Sequence, residues 1–301
     1  MGKVVRDFSS VLPASRVYVF DNGSTDRTSA LATEAGAIVV PSLIPGKGHV
    51  VKHMFDVVDA DIYLMVDGDD TYPAEYAQQL VGEIQSGKYS MVVGMRLSDF
   101  SGRSFRPFHQ FGNRLVSGLT SSIFPSAISD VMSGYRAFSR EFIKTIPIHS
   151  GGFEIETEMT LQALSKGFRI KEIPIRYGER PEGSHSKLNT YSDGLLVLRS
   201  IFMIMKDYRP LLFFSILGAL FVGLSLAAAW LPVADYLRVH YVFHVPLAVL
   251  SAALGILSVL FFGIGLILDT VAKYHLENFE HWRRHFKLQV PKASTEQEKH
   301  D

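Results

Sequence analysis

Two aspartates flanking one glycine, Asp67-Gly68-Asp69, follow directly on the apolar run Ile62 to Val66, and Asp70-Thr71-Tyr72-Pro73 comes next. A short buried strand that delivers carboxylates at its carboxyl end stands where open α/β sheets bind ligands. Asp67 and Asp69 can present oxygens to one hard cation, Mg²⁺ or Mn²⁺, which in turn would hold phosphate oxygens. Asp, Gly, Thr and Pro are also the common turn residues, so on its own the stretch fits either a polar turn or a cation site. Lys47, between Gly46 and Gly48 at a predicted helix start, suits contact with phosphate or an ordinary helix opening. Arg96, Arg103, Arg106 and Arg114 follow further on among Phe and Gly residues; guanidinium groups match phosphate in two-point contacts, although any one of them also reads as a surface charge. His185 reads as a loop residue, and no His pair at metal spacing, Gly-x-Ser-x-Gly elbow or Walker sequence is present.

The totals narrow the partner classes. Thirty Lys and Arg balance 30 Asp and Glu among 301 residues, so charge gives no argument for nucleic acid. The absence of Cys excludes disulfides and thiolate metal sites and suits a reducing compartment.

The elements that position these residues alternate. A helix over Val4 to Leu12 is followed by a strand (Arg16 to Phe20), the polar turn Asp21-Asn-Gly-Ser-Thr-Asp26 and a helix (Thr28 to Ala35). A strand (Ile38 to Val40), a helix from Pro45 to Val58, the carboxylate-tipped strand, a helix (Pro73 to Gln85) and a strand (Ser90 to Val93) complete the first part. That order predicts an α/β domain with a mostly parallel sheet. Strands at Gly134 to Phe138 and Arg169 to Tyr177 flank a helix over Gly152 to Gly167 carrying Glu154, Glu156 and Glu158.

The composition changes after about residue 190. Ser192, Arg199 and Lys206 make a narrow polar stripe with Asp193, Ser200 and Asp207 on an otherwise apolar helix, residues 191–209. Such a helix lies in a lipid interface or packs on the domain. Leu211 to Leu231 and Val245 to Leu268 carry no charge and have the length, about 20 residues, that crosses a hydrocarbon core. Pro232 to His244 is read as their connection. Arg199, Lys206 and Arg209 before the pair, and Lys273, Arg283, Arg284 and Lys287 after it, predict that the first domain and both termini are cytoplasmic. Residues 271–301 form the tail. Gly218, Gly223, Gly255, Gly263 and Gly265 permit close helix packing, within one chain or between copies of a homo-oligomer.

The motifs Asp21-Asn-Gly-Ser-Thr-Asp26, Gly46-Lys-Gly48, Asp67-Gly-Asp69-Asp-Thr-Tyr-Pro73, Asp130-Val-Met-Ser-Gly-Tyr-Arg136, Glu154-Ile-Glu156, Glu172-Ile-Pro-Ile175 and Ser186-Lys-Leu188 occur in that order. The chain thereby resembles the family 2 glycosyltransferases of GT-A fold, and among them the dolichol-phosphate mannosyltransferase and polyprenyl-phosphate glycosyltransferase group. The resemblance runs from Val4 to about Tyr274. It implies a GT-A domain over 1–190, an interfacial helix over 191–209 and a two-span hairpin over 210–270. It also implies inverting transfer of a sugar from a nucleotide diphosphate sugar (GDP-mannose or a UDP-sugar) to a polyprenyl phosphate. By the same resemblance Asp21 and Lys47 serve the nucleotide, Asp67 and Asp69 hold the diphosphate through Mg²⁺ or Mn²⁺, Arg96 and Arg114 meet the lipid phosphate, and Arg136 and Lys187 border it.

Two features depart from the family pattern. Its members begin with a strand and a Pro-x-x-Asn-Glu-type turn lining the nucleotide pocket, whereas this chain starts at what matches the next helix, which implies a truncated start and a sheet short of one strand. Thr71 stands where some mannosyl members have a metal-contacting Gln. The alternatives are a non-catalytic glycosyltransferase-like membrane protein and, further off, a polysaccharide synthase, whose Gln-x-x-Arg-Trp motif this sequence lacks. Were the acceptor a sugar hydroxyl, Asp70 or Asp130 would be the general base.

Overall fold

The computed structural model describes residues 1–96, 117–118, 120–121, 123–124, 128–152, 154–178 and 202–289. Arg103, Arg106, Arg114, His185, Lys187, the Ser186-Lys-Leu188 motif, residues 191–201 of the expected interfacial helix and the last residues of the tail lie outside them; residues 202–208 are helical. The chain divides into two units, Met1–Ser200 and Ile201–Asp301.

In the first unit α1 (Gly2–Val11), β1 (Tyr18–Asp21), α2 (Thr28–Glu34), β2 (Ile38–Pro41), α3 (Lys47–Val57) and β3 (Ile62–Met65) come first. A 3₁₀ turn (Ala74–Tyr76), α4 (Ala77–Gln85), β4 (Met91–Arg96), β5 (Arg136–Ser139), α5 (Arg140–Thr145), α6 (Ile155–Ser165) and β6 (Ile170–Ile175) follow. The strands form two sheets. β1 and β2 pair in parallel, Tyr18 opposite Ile38. The other sheet has the order β3-β5-β4-β6. β4 and β6 are parallel, whereas β5 runs antiparallel to both of its neighbours, with Ala137 opposite Leu64 on one side and Val92 on the other. β3 and β4 thus share a direction and the parallel character is kept around one reversed member.

No ladder joins the two sheets among the described residues; helices do. α1 is amphipathic, and its buried side divides. Val4 and Phe8 pack into the core formed by Tyr72, Leu80, Val92 and Tyr135, while Val5 packs with Ala32 and Ala37 beside β1 and β2. α3 spans the same junction: His53 meets Phe20 of β1 edge-on at 5.4 Å, and Phe55 meets Tyr63 of β3 and Phe138 of β5. Burial of aromatic and aliphatic side chains at about 25 cal/mol per Å² thus does the joining that backbone hydrogen bonds do elsewhere.

The second unit is a pair of helices, α7 (Pro210–Val239) and α8 (Val245–Gln289), both long and apolar enough to cross a membrane. Pro210 begins α7, where its missing N–H costs nothing. The helices extend past the apolar runs. Pro232 does not end α7, so the connection expected from Pro232 shrinks to five residues, His240 to His244, with His240 in the left-handed conformation as the cap. Asp235 closes that turn by accepting from the backbone N–H groups of Phe243 and His244. Ser225 and Ser251 donate to each other's carbonyls across the pair, and Ser258 donates to the carbonyl of Gly218. A Cβ on Gly218 would stand 2.8 Å from the Phe262 ring, which is why a small residue is needed there.

Candidate active site

β3 ends at Met65 and the chain turns through Asp67-Gly-Asp-Asp70. Asp69 Oδ1 accepts from the hydroxyl of Thr71, two residues on, at 2.6 Å. Asp70 is held at φ +61°, in the left-handed region that Asp tolerates better than most residues. Its carboxylate receives Lys3 Nζ at 2.8 and 2.9 Å. Tyr72, buried beneath, accepts the Gly134 N–H at 3.1 Å and so ties the carboxylate loop to the 130–135 segment. Burial pushes the Tyr72 hydroxyl up to about 12, so it stays a neutral partner.

Lys47 reaches this loop from the first turn of α3. Its Nζ lies 2.6 Å from Asp67 Oδ1 and also pairs with Glu156 Oε1 of α6. The lysine side chain is 21% exposed, that of Asp67 34% and that of Glu156 4%. Burial works against the ammonium, but Glu156 and Asp67 outweigh it and hold Lys47 above its ordinary value. For Glu156 burial is the larger influence and raises its carboxyl, with Lys47 opposing. Asn22, at the end of β1, fixes the approach to Lys47: it donates to the carbonyls of Ser42 and Ile44 and accepts the N–H of Gly46. Asp21 accepts from Ser24 N at 2.9 Å and from the Ser29 hydroxyl, and these bonds hold its carboxyl below the usual range.

The arginines divide. Arg96 at the end of β4 makes a two-point pair with Asp130, Nε to Oδ2 at 2.8 Å and Nη2 to Oδ1 at 2.9 Å, and its backbone N–H adds a third bond. Burial would raise the Asp130 carboxyl; the Arg96 bonds overcome it and keep the group below the usual carboxylate range. One edge of the Arg96 guanidinium is therefore committed to the protein. Arg136 has no exposed surface. It donates to the carbonyls of Ser133 and Val131, each at 2.7 Å, and to Thr160 Oγ1 at 2.9 Å. Burial brings it down to about 10, with Glu156 opposing that fall. Closed off from solvent and donating to two carbonyls and a hydroxyl, Arg136 ties the 131–136 loop to α6. Arg114 and Lys187 lie outside the described residues.

The structure thus brings Lys47, Asp67 and Glu156 together, with Asp69 two residues beyond Asp67. Glu156 and Gly134 are the residues to which sequence reasoning gave no role. A Cβ on Gly134 would stand 2.5 Å from Asp67 Oδ2. The Gly in Ser-Gly-Tyr was the available signal, since Gly marks close approach of backbone to another group. Among the described residues no three His, Asp or Glu side chains are placed to hold a metal by themselves. Two carboxylates on one short loop do fit the way Mg²⁺ is commonly held, by one or two carboxylates together with substrate phosphates.

The glycosyl transferase family 2 model matches residues 8–146. Glycosyltransferase AglJ of Haloferax volcanii is 33% identical over 267 residues, 88% of each chain. A dolichyl-phosphate hexose transferase of the same organism is 28% identical over 69% of this chain and 90% of its own. Polyprenol monophosphomannose synthase of Mycolicibacterium smegmatis is 27% identical over 57% of this chain and 69% of its own. The fold is similar to that of glucosyl-3-phosphoglycerate synthase from Mycobacterium tuberculosis, with a TM-score of 0.54 and 21% identity over 68% of this chain and 74% of that one. With a relative aligned along nearly the whole of both chains and the family model lying across the carboxylate loop, the protein belongs to glycosyltransferase family 2.

Proposed function

We propose that the protein is a membrane-bound inverting hexosyltransferase that moves a sugar from a nucleotide diphosphate sugar, GDP-mannose or a UDP-sugar, to a polyprenyl phosphate. The observation that carries the reading is the pairing of Asp130 with Arg96. A hydroxyl acceptor needs a general base, and a carboxylate held by a buried guanidinium below its usual pKa is a poor one. Asp70, the other candidate, is engaged by Lys3. A phosphate monoester is already ionised at neutral pH and attacks without a base. Two membrane-length helices in the same chain suit a lipid acceptor, and the names of two relatives, dolichyl-phosphate hexose transferase and polyprenol monophosphomannose synthase, agree.

In this reading Asp67 and Asp69 are the residues that hold a divalent cation, Mg²⁺ or Mn²⁺, against the diphosphate. Bound there, the cation neutralises the charge that develops on the leaving group. Lys47 adds a fixed positive charge beside it, Asp21 serves the nucleoside, and Arg96, Arg114 and Lys187 serve the lipid phosphate. Orientation of two anions and neutralisation of one supply the rate enhancement. The basic residues flanking the two apolar runs support a cytoplasmic catalytic domain and cytoplasmic termini, by the positive-inside rule.

The test is transfer of label from a panel of nucleotide sugars into butanol-extractable lipid, with polyprenyl phosphate and Mn²⁺ added and Asp69→Asn in parallel. Label is expected from one donor class, reduced on the order of 10²-fold or more by Asp69→Asn. Absence of label with every donor would refute the reading.

A further inference from the structure

Lys47 occupies one oxygen of a carboxylate that would hold the metal. Its ammonium lies 2.6 Å from Asp67 Oδ1, and a cation approaching that oxygen meets a like charge. The same ammonium has a second seat on Glu156, a carboxylate that is almost wholly buried in α6. The backbone around Lys47 is fixed. Cβ atoms at Gly46 or Gly48 would run into the backbone of Ser150 and Gly151, so the first turn of α3 lies directly on that segment. Arg136, buried on the same side, adds positive charge facing Glu156. The cluster Lys47, Arg136, Asp67 and Glu156 is therefore formally neutral.

From this arrangement, and resting on the metal–diphosphate reading above, we infer that Lys47 is a built-in placeholder for the divalent cation. It holds Asp67 in position in the ligand-free protein and yields that oxygen to the cation, while Glu156 keeps the ammonium in the site. From the Glu156 seat the ammonium turns to the donor's diphosphate. Charge balance is kept throughout, because a cation of +2 arrives with a diphosphate ester of −2. Glu156 is a positioning residue, acting through Lys47 and touching no substrate.

Two variants of the full chain in detergent test this by binding. Free Mn²⁺ is read by its electron paramagnetic resonance signal, and UDP and GDP are each titrated by calorimetry. Lys47→Met is expected to bind Mn²⁺ about tenfold more tightly in the absence of nucleotide, as loss of a like charge at a partly exposed site implies. It should bind the preferred nucleoside diphosphate with Mn²⁺ about tenfold more weakly, since a charge-assisted contact is gone. Glu156→Gln, which leaves the ammonium to Asp67 alone, is expected to weaken Mn²⁺ binding by a similar factor. A merely structural lysine would not move the two affinities in opposite directions. Unchanged or weakened Mn²⁺ binding in Lys47→Met overturns the inference while leaving the proposed reaction standing. If Lys47→Met does not fold, unchanged Mn²⁺ binding by Glu156→Gln overturns it. A wild type that takes up no Mn²⁺ even with UDP or GDP overturns both the inference and the metal role.

Discussion

Replacing Arg136 by Met separates a scaffold from a substrate contact. The side chain has no exposed surface and donates to two carbonyls and a hydroxyl. Methionine fills most of the volume and leaves the Ser133 and Val131 carbonyls without that donor. Each orphaned acceptor costs about 1–3 kcal/mol, and Ser133 and Val131 each contribute one. Together they give an expected loss of about 4 kcal/mol. For a unit of this size 1 kcal/mol corresponds to about 2–4 °C, which gives a fall in Tm of about 8–16 °C. Trp230 and Trp282 both belong to the second unit, so tryptophan fluorescence does not follow this transition. Near-ultraviolet circular dichroism of the buried Tyr72 and Tyr135 does. Arg136→Lys, which keeps the charge and loses the planar fork, should fall between wild type and Arg136→Met. A shift below about 2 °C, accompanied by a raised KM for polyprenyl phosphate, would refute the scaffold role and return Arg136 to the lipid site.

Two further outcomes follow from the same geometry. Gly134→Ala pushes on Asp67 through a Cβ 2.5 Å from Oδ2; sugar transfer should fall by about tenfold or more while stability changes by only about 1 kcal/mol, measured by initial rates and melting on one preparation. Asp130→Asn should cost about 2–4 kcal/mol at pH 7. The folded pKa of Asp130 lies below its unfolded value, so its contribution is fully present above about pH 4 and is lost as pH falls through the folded value. The difference between wild type and Asp130→Asn therefore closes in acid, which urea titrations across pH 3–7 would show.

The parts that sequence made legible are those encoded locally. An apolar run broken by Asp-Gly-Asp announces a strand end, and an uncharged run of membrane length needs no tertiary information. What stayed hidden depends on partners far along the chain. Arg136 reads the same whether it faces a phosphate or the Val131 carbonyl. Only the packing of α6 against β5, which brings Thr160 to it, decides. Glu156 gains its role from Lys47, more than 100 residues away. The reversed direction of β5 is likewise set by the non-local pairs Ala137 with Leu64 and Val92. Pro232 reads as the start of the connection, yet the helix runs on through it to Val239; neighbouring helices and local adjustments accommodate such a proline.

The bonds across the helix pair bear on how it would enter a bilayer. Ser225 and Ser251 satisfy each other's hydroxyl and carbonyl, Ser258 donates to Gly218, and the bare Cα of Gly218 leaves room for the Phe262 ring. In hydrocarbon an unsatisfied polar group costs several kcal/mol, so either helix alone would carry a penalty that the pair does not. The hairpin is thereby a single unit of insertion, and a slide of one helix past the other would break all three bonds together.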